Sequence, residues 1–314
     1  MSEPVWLKPY FRCDSETPWG GNALAALFGK EIPSDVTGES LEVSALPGRE
    51  SVADGGEYDG KNLAEIWQMW GGEGEFPLLL KLLDAREMLS VQVHPGDEYA
   101  RAKEGKFGKT EAWLILYCEP GAKLVYGLNK PDFDDVENAL RWVTVKPGDV
   151  LYIPHGCVHA IGAGIVLYEI QQPSDVTYRV WDWGRGRQLH MEQAKDVSRF
   201  ELPLQPSQGA TAMCKGGSVT YYISCSHFEL SRLNVHGDMP LDGRMRLITG
   251  MSPLTVKWAD GERTLMPGQT CLVPADAEGV YLSGRGAAIC SSLPDRAALE
   301  EALGERAKLV TGDM

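Results

Sequence analysis

Residues 146–175 read KPGDVLYIPHGCVHAIGAGIVLYEIQQPSD, and residues 266–295 read MPGQTCLVPADAEGVYLSGRGAAICSSLPD. Aligned without a gap, each runs Pro-Gly, an apolar stretch, a second proline seven residues after the first (Pro147 to Pro154, Pro267 to Pro274), a second apolar stretch and a closing Pro and Asp. Pro-Gly sets a tight turn, the residues after it suit a buried strand, and the second proline stops ladder donation where the chain must turn again. The pattern predicts two similar β units. The first carries His155 and His159 after its second proline, where the second has Ala275 and Gly279. Chemistry is therefore expected in the first unit.

The rest of the chain agrees with this reading. Runs such as LEVSAL, LSVQV, EAWLILY, KLVYGL and VTYRVWDW are punctuated by 35 glycines and 19 prolines, which predicts a mainly β protein of antiparallel strands closed into barrels. Helical periodicity is confined to residues 61–70, 132–143, 191–200 and 295–308, expected to bracket the sheets. The Pro/Gln/Gly-rich stretch 201–217 is the expected linker between a domain spanning residues 1–200 and one spanning 218–314.

The 314 residues carry a formal net charge of -14, which repels nucleic acid and anionic lipid over most of the surface while leaving room for a local cluster of arginines around a small anion. The beginning is too polar for a secretory signal, and no stretch approaches the roughly 20 apolar residues of a membrane helix. Seven cysteines, odd in number and without a C-x-x-C pair, read as free thiols in a reducing cytoplasm.

Candidate functional residues come from strand alternation. In LSVQVHP, Leu89, Val91 and Val93 are expected on one face, with Ser90, Gln92 and His94 on the other. In GKTEAWLIL the same rule aligns Lys109, Glu111 and Trp113, and two charges on a core-bound strand are costly unless they line a wet cavity or bind something. Imidazole and carboxylate groups from separate strands suit zinc, or alternatively manganese, cobalt or iron. A lone strand histidine also fits a purely structural role, and Glu111 alone fits a surface carboxylate. A helical reading of His155-x-x-x-His159 is rejected, because Pro154 and Gly156 impose turn chemistry. Glu98 has ligand spacing from His94, but it also fits the first turn of a helix capped by Asp97.

Gly148, Pro154, Gly156 and His159 in their spacing resemble the second motif of the cupin superfamily, with Ala163 where an Asn often closes it. PWGG at 18–21, the run FPLLLKLLDAREMLSVQVHPGDEYA at 76–100, GKTEAW at 108–113 and residues 156–185 together resemble the short bacterial form of the type I phosphomannose isomerases. That resemblance implies two cupin-like, jelly-roll β-barrels, the second degenerate and lacking ligands. It implies metal ligands at His94, Glu111 and His159, with Gln92 able to supply a fourth, an essential arginine at Arg179, and roles for Lys109 and Glu169. His155 stands where many relatives carry a small residue, and Ile161 where longer forms carry a tyrosine.

The implied reaction interconverts mannose 6-phosphate and fructose 6-phosphate through a cis-enediol, with Zn²⁺ or another divalent cation as the Lewis acid. Arg179 is then the electrostatic partner and Glu169 the proton shuttle, with a metal-bound water as the competing assignment; Glu169 also fits as an anchor for a histidine behind the ligands. Lys109, Arg185 and Arg187 are available to a phosphate, although Arg185 and Arg187 in WGRGRQ also fit a solvated loop. The competing readings are an iron-dependent cupin dioxygenase, a metal-dependent cupin acting on another sugar, and a non-catalytic sugar-binding module. The expected partner is a small sugar phosphate rather than nucleic acid or membrane.

Overall fold

The computed structural model describes residues 3–241 and 243–312. Its strands are antiparallel and form three sheets. The middle sheet has six strands in the spatial order Val150–Ile153, Glu111–Cys118, Ile165–Gln171, Leu79–Ala85, Thr37–Val43 and Tyr10–Cys13. Every residue of Leu79–Ala85 and of Ile165–Gln171 is buried. This explains why FPLLLKLLDA reads as a nearly continuous apolar run, since a sheet covered on both sides has no solvent face to mark with polar residues.

One face of the middle sheet packs through Leu83, Trp113, Ile115, Leu151 and Leu167 onto Leu124 and Tyr126 of a five-stranded sheet. That sheet has the order Tyr178–Trp181, Val91–Val93, His159–Ala160, Lys123–Leu128 and Leu140–Thr144. Its outer face is closed by Val136 and Ala194 from the helices Val136–Ala139 and Met191–Val197. The other face of the middle sheet buries Leu80, Leu82, Leu114, Val166 and Ile170 against Leu7, Leu230, Leu247, Leu272 and Ile289 of a ten-stranded sheet. Replacing Leu80 by alanine, a fully buried side chain in this second layer, is expected to destabilise the fold by about 2–5 kcal/mol. Urea unfolding would measure it, and a loss under about 1 kcal/mol would mean that the layer collapses around the void.

The two repeats fold alike at their turns. Asp149 N–H donates to Lys146 O at 3.1 Å and Gln269 N–H to Met266 O at 3.0 Å, while Gly148 and Gly268 take positive φ of 93° and 75°. The strands Val150–Ile153 and Thr270–Val273 follow at the same offset, and the second turns close with Cys157 N–H on Pro154 O and Ala277 N–H on Pro274 O. Among the described residues no sheet closes on itself, so the layers are open sandwiches along their hydrogen-bonded order.

Three local expectations differ from the structure. Of residues 132–143 only Val136–Ala139 is helical, because Asp132 Oδ1 accepts the N–H groups of Asp134 and Asp135 in a turn and Leu140–Thr144 pairs with Lys123–Leu128. The stretch 201–217 carries the strand Ala210–Cys214, paired to Gly217–Ser224. Near the N-terminus, the strand Val5–Lys8 pairs with Thr270–Val273 in the ten-stranded sheet, so the first residues are tied to the second repeat. No helix among the described residues is long and apolar enough to cross a membrane.

Candidate metal centre

Strand register builds the site. His159 lies directly opposite both Gln92 and Tyr126, and Gln92 lies opposite Arg179, so these side chains form one row on one face of the five-stranded sheet. His94 follows Val93 and aims the same way as Gln92, while Val91 and Val93 pack against the helices. Leu89, expected with those valines, instead joins the inter-sheet cluster, because the strand begins only at Val91. From the facing sheet, Glu111 opens the strand Glu111–Cys118 and points into the same space.

His94, Glu111 and His159 are buried, and their ligand atoms all lie within 4.8 Å of one another. His94 Nε2 is 3.6 Å from Glu111 Oε2, and His159 Nε2 is 3.3 Å from Glu111 Oε1. Four ligands around a cation with bonds of about 2.1 Å sit roughly 3.4 Å apart, so these separations match a shared ion. Each imidazole is oriented from behind: Nδ1 of His94 donates to Val176 O and Nδ1 of His159 to Cys157 O, both at 2.9 Å, leaving the two Nε2 lone pairs facing inward. Burial, with Lys109 adding, holds His94 well below the usual imidazole range, and burial takes His159 down to about 4, so both stay neutral as ligands must.

The carboxylate gives the clearest sign that these donors suit a cation. Neither oxygen of Glu111 receives a well-directed hydrogen bond although both are buried, and burial together with Glu169 pushes its carboxyl above the ordinary range. Lys109 partly compensates, its Nζ lying 2.8 Å from Glu111 Oε2 and 3.1 Å from His94 Nε2. Gln92 completes the ring of polar groups, its amide 3.3 Å from His159 Nε2. The donor set therefore fits a divalent cation held by two imidazoles and one carboxylate.

Glu169 faces the same inter-sheet space, opposite Trp113 on the strand that Glu111 opens. Its Oε2 accepts from Trp113 Nε1 at 2.9 Å and its Oε1 lies 3.1 Å from Lys81 Nζ. Burial alone would raise its pKa, but Lys81 and Lys109 outweigh that and leave it below the usual carboxylate range. Arg179 stands in the His159 row, with Nη1 donating to Gln188 O at 2.8 Å and Nε buried without a partner. Arg185 and Arg187 sit beside it but are tied to Asp182, at 3.4 Å and 2.9 Å, so the structure groups them with Arg179 and away from the imidazoles.

His155 lies outside the cluster, its Nε2 3.5 Å from Arg199 Nη1. Glu98 lies in the first turn of Asp97–Glu104, as the helical alternative has it, but the N-cap is Gly96. Asp97 instead braces the segment before Lys109, accepting from Gly108 N–H and from Gln172. Lys81 and Glu39 were not foreseen. The only signal was a single lysine inside the apolar run FPLLLKLLDA.

Layered antiparallel sheets that aim two imidazoles and a carboxylate at one buried point define a β-sandwich protein with a candidate divalent-cation site. The family model for the catalytic domain of type I phosphomannose isomerase matches residues 11–111. The mannose-6-phosphate isomerase ManA of Bacillus subtilis is 38% identical over 302 residues, covering 85% of this chain and 93% of that one. The mannose-6-phosphate isomerase of Streptococcus mutans is 36% identical over 262 residues, covering 77% and 82%. A crystal structure of the mannose 6-phosphate isomerase from Bacillus subtilis shares the fold at a TM-score of 0.86 and 33% identity, over 92% of this chain and 99% of that chain. The chain belongs to the type I phosphomannose isomerase family.

Proposed function

We propose that this chain is an aldose–ketose isomerase that interconverts mannose 6-phosphate and fructose 6-phosphate. The observation that carries the reading is the convergence of His94, Glu111 and His159 on one buried point, with neither Glu111 oxygen taking a well-directed hydrogen bond. A bound divalent cation, zinc in this reading, would supply Lewis-acid polarisation of the sugar's carbonyl and hydroxyl oxygens. His94, Glu111 and His159 would hold it, with Gln92 offering a fourth oxygen. A C–H next to a carbonyl is a poor acid, so its proton must leave to a positioned base while charge develops on oxygen.

Glu169 is the base: it is held as a carboxylate between Lys81 and Trp113 and faces the cation site, and it carries the proton between C1 and C2 of a cis-enediol. Lys109 directs its ammonium to the sugar oxygens from beside Glu111. Arg179 brings a guanidinium that steadies the enediolate or the phosphoryl group, and Arg185 and Arg187 add positive potential on that side. The phosphate thus enters a local cationic patch on a chain whose net charge is -14.

In this reading residues 1–200 are the catalytic cupin-like sandwich, lending Val5–Lys8 to its partner's sheet, 201–217 are the connection, whose Ala210–Cys214 joins that same sheet, and 218–314 are a degenerate cupin-like partner. The matched turns of the two repeats, and Ala275 and Gly279 in place of histidines, support that division. Seven free cysteines support a reducing, cytoplasmic setting.

Dialysis against a chelator is expected to remove turnover of mannose 6-phosphate in a coupled assay, and Zn²⁺ is expected to restore it. A metal-replete, folded protein with no turnover would overturn the assignment.

A further inference from the structure

Charged groups cross the middle sheet beyond anything that ligand binding requires. Arg12 lies directly opposite Glu39, Lys81 lies directly opposite Glu169, and Glu39 is diagonal to Lys81. The order from the sheet edge to the site is Arg12, Glu39, Lys81, Glu169, alternating in sign. Arg12 Nη1 is 2.8 Å from Glu39 Oε2, Lys81 Nζ is 3.8 Å from Glu39 Oε1, and Lys81 Nζ is 3.1 Å from Glu169 Oε1. Glu39, Lys81 and Glu169 are buried, so each charge depends on its neighbours rather than on water.

The distances are unequal, and the inequality carries the argument. Lys81 stands between two carboxylates but leans toward Glu169, because Glu39 is already taken by Arg12. We propose that Arg12 is a positioning residue for the isomerisation: by holding Glu39 it leaves Lys81 to orient and neutralise Glu169. Without Arg12, two buried carboxylates compete for Lys81 at close range, with Lys109 acting on both only from further off, and Glu39 draws Lys81 away from Glu169. The arginine touches no reacting atom and acts only through this row. The inference rests on the assignment of Glu169 as the base.

The test is a set of variants assayed for kcat and KM on mannose 6-phosphate, with bound metal and melting temperature measured alongside. Arg12→Met is expected to lower kcat roughly tenfold, the scale of coupling within one buried charge network, with KM and metal content little changed. Arg12→Lys is expected to recover most of the loss. The double variant Arg12→Met/Glu39→Gln is decisive: with the competing carboxylate neutral, Lys81 returns to Glu169 and kcat rises again toward the wild-type value. Should Arg12→Met fail to fold, the double variant still carries the test, since it leaves no unpaired charge at that end of the row.

If Arg12→Met has wild-type kcat, or if the double variant is at least as slow as Arg12→Met, the positioning role is overturned. Glu169→Gln separates this from failure of the underlying assignment. If Glu169→Gln is crippled while Arg12→Met is normal, only the role of Arg12 falls. If Glu169→Gln is fully active, the base assignment falls and the role of Arg12 falls with it.

Discussion

Glu111→Gln is expected to strip the protein of bound divalent metal and to lower kcat/KM by at least roughly a thousandfold, since Lewis-acid stabilisation is worth several kcal/mol at about 1.4 kcal/mol per factor of ten. The amide keeps the shape of the side chain and removes its charge, so the cation loses the one anionic ligand of the set. The same change leaves Lys109 buried without its carboxylate, a defect that costs about 3–5 kcal/mol when a buried pair is broken on one side. Metal analysis of protein shown to be folded by circular dichroism therefore has to accompany the assay. A variant that retains one divalent metal ion per chain and wild-type kcat/KM would remove Glu111 from the site.

Glu169→Gln is expected to act differently, lowering kcat by about 10²- to 10⁴-fold while bound metal and KM stay near wild type. Glutamine can still accept from Trp113 Nε1 and fills the same space, and Lys81 keeps Glu39 as a counter-ion, so with folding verified the loss reports the proton and not the packing. The accompanying signature is loss of exchange between the substrate's C2 proton and solvent. If exchange persists in the variant, a different group moves the proton. Together the two substitutions split holding the cation from moving the proton, although their carboxylates share one face of the middle sheet.

Much of this was legible in the sequence because it is local. The Pro-Gly turn, the four-residue strand after it and the proline that ends that strand recur in both repeats, and each depends on a few adjacent dihedral angles. Alternation along a strand put Gln92 with His94 and Lys109 with Glu111, and the structure keeps both pairings. The helix expected over 132–143 failed because acidic spacing alone cannot tell a helix start from an aspartate turn, and the partner strand Lys123–Leu128 claims Leu140–Thr144. Asp97 looked like a helix cap and is instead a brace for the loop before Lys109, which depends on Gly108 and Gln172 being nearby in space.

From sequence alone follow the β character, the duplicated unit, the half that retains histidines and the residue types able to hold a divalent cation, because periodicity and turn chemistry are written in neighbouring residues. Tertiary structure alone decided that the middle sheet is buried on both faces, that Val5–Lys8 joins the second repeat's sheet, and that Arg12, Glu39, Lys81 and Glu169 line up beside the cation site. The physical reason is register. Which residue lies opposite which across a sheet is set by the packing of whole faces, and a shift of one residue would turn every one of those charges to the other side.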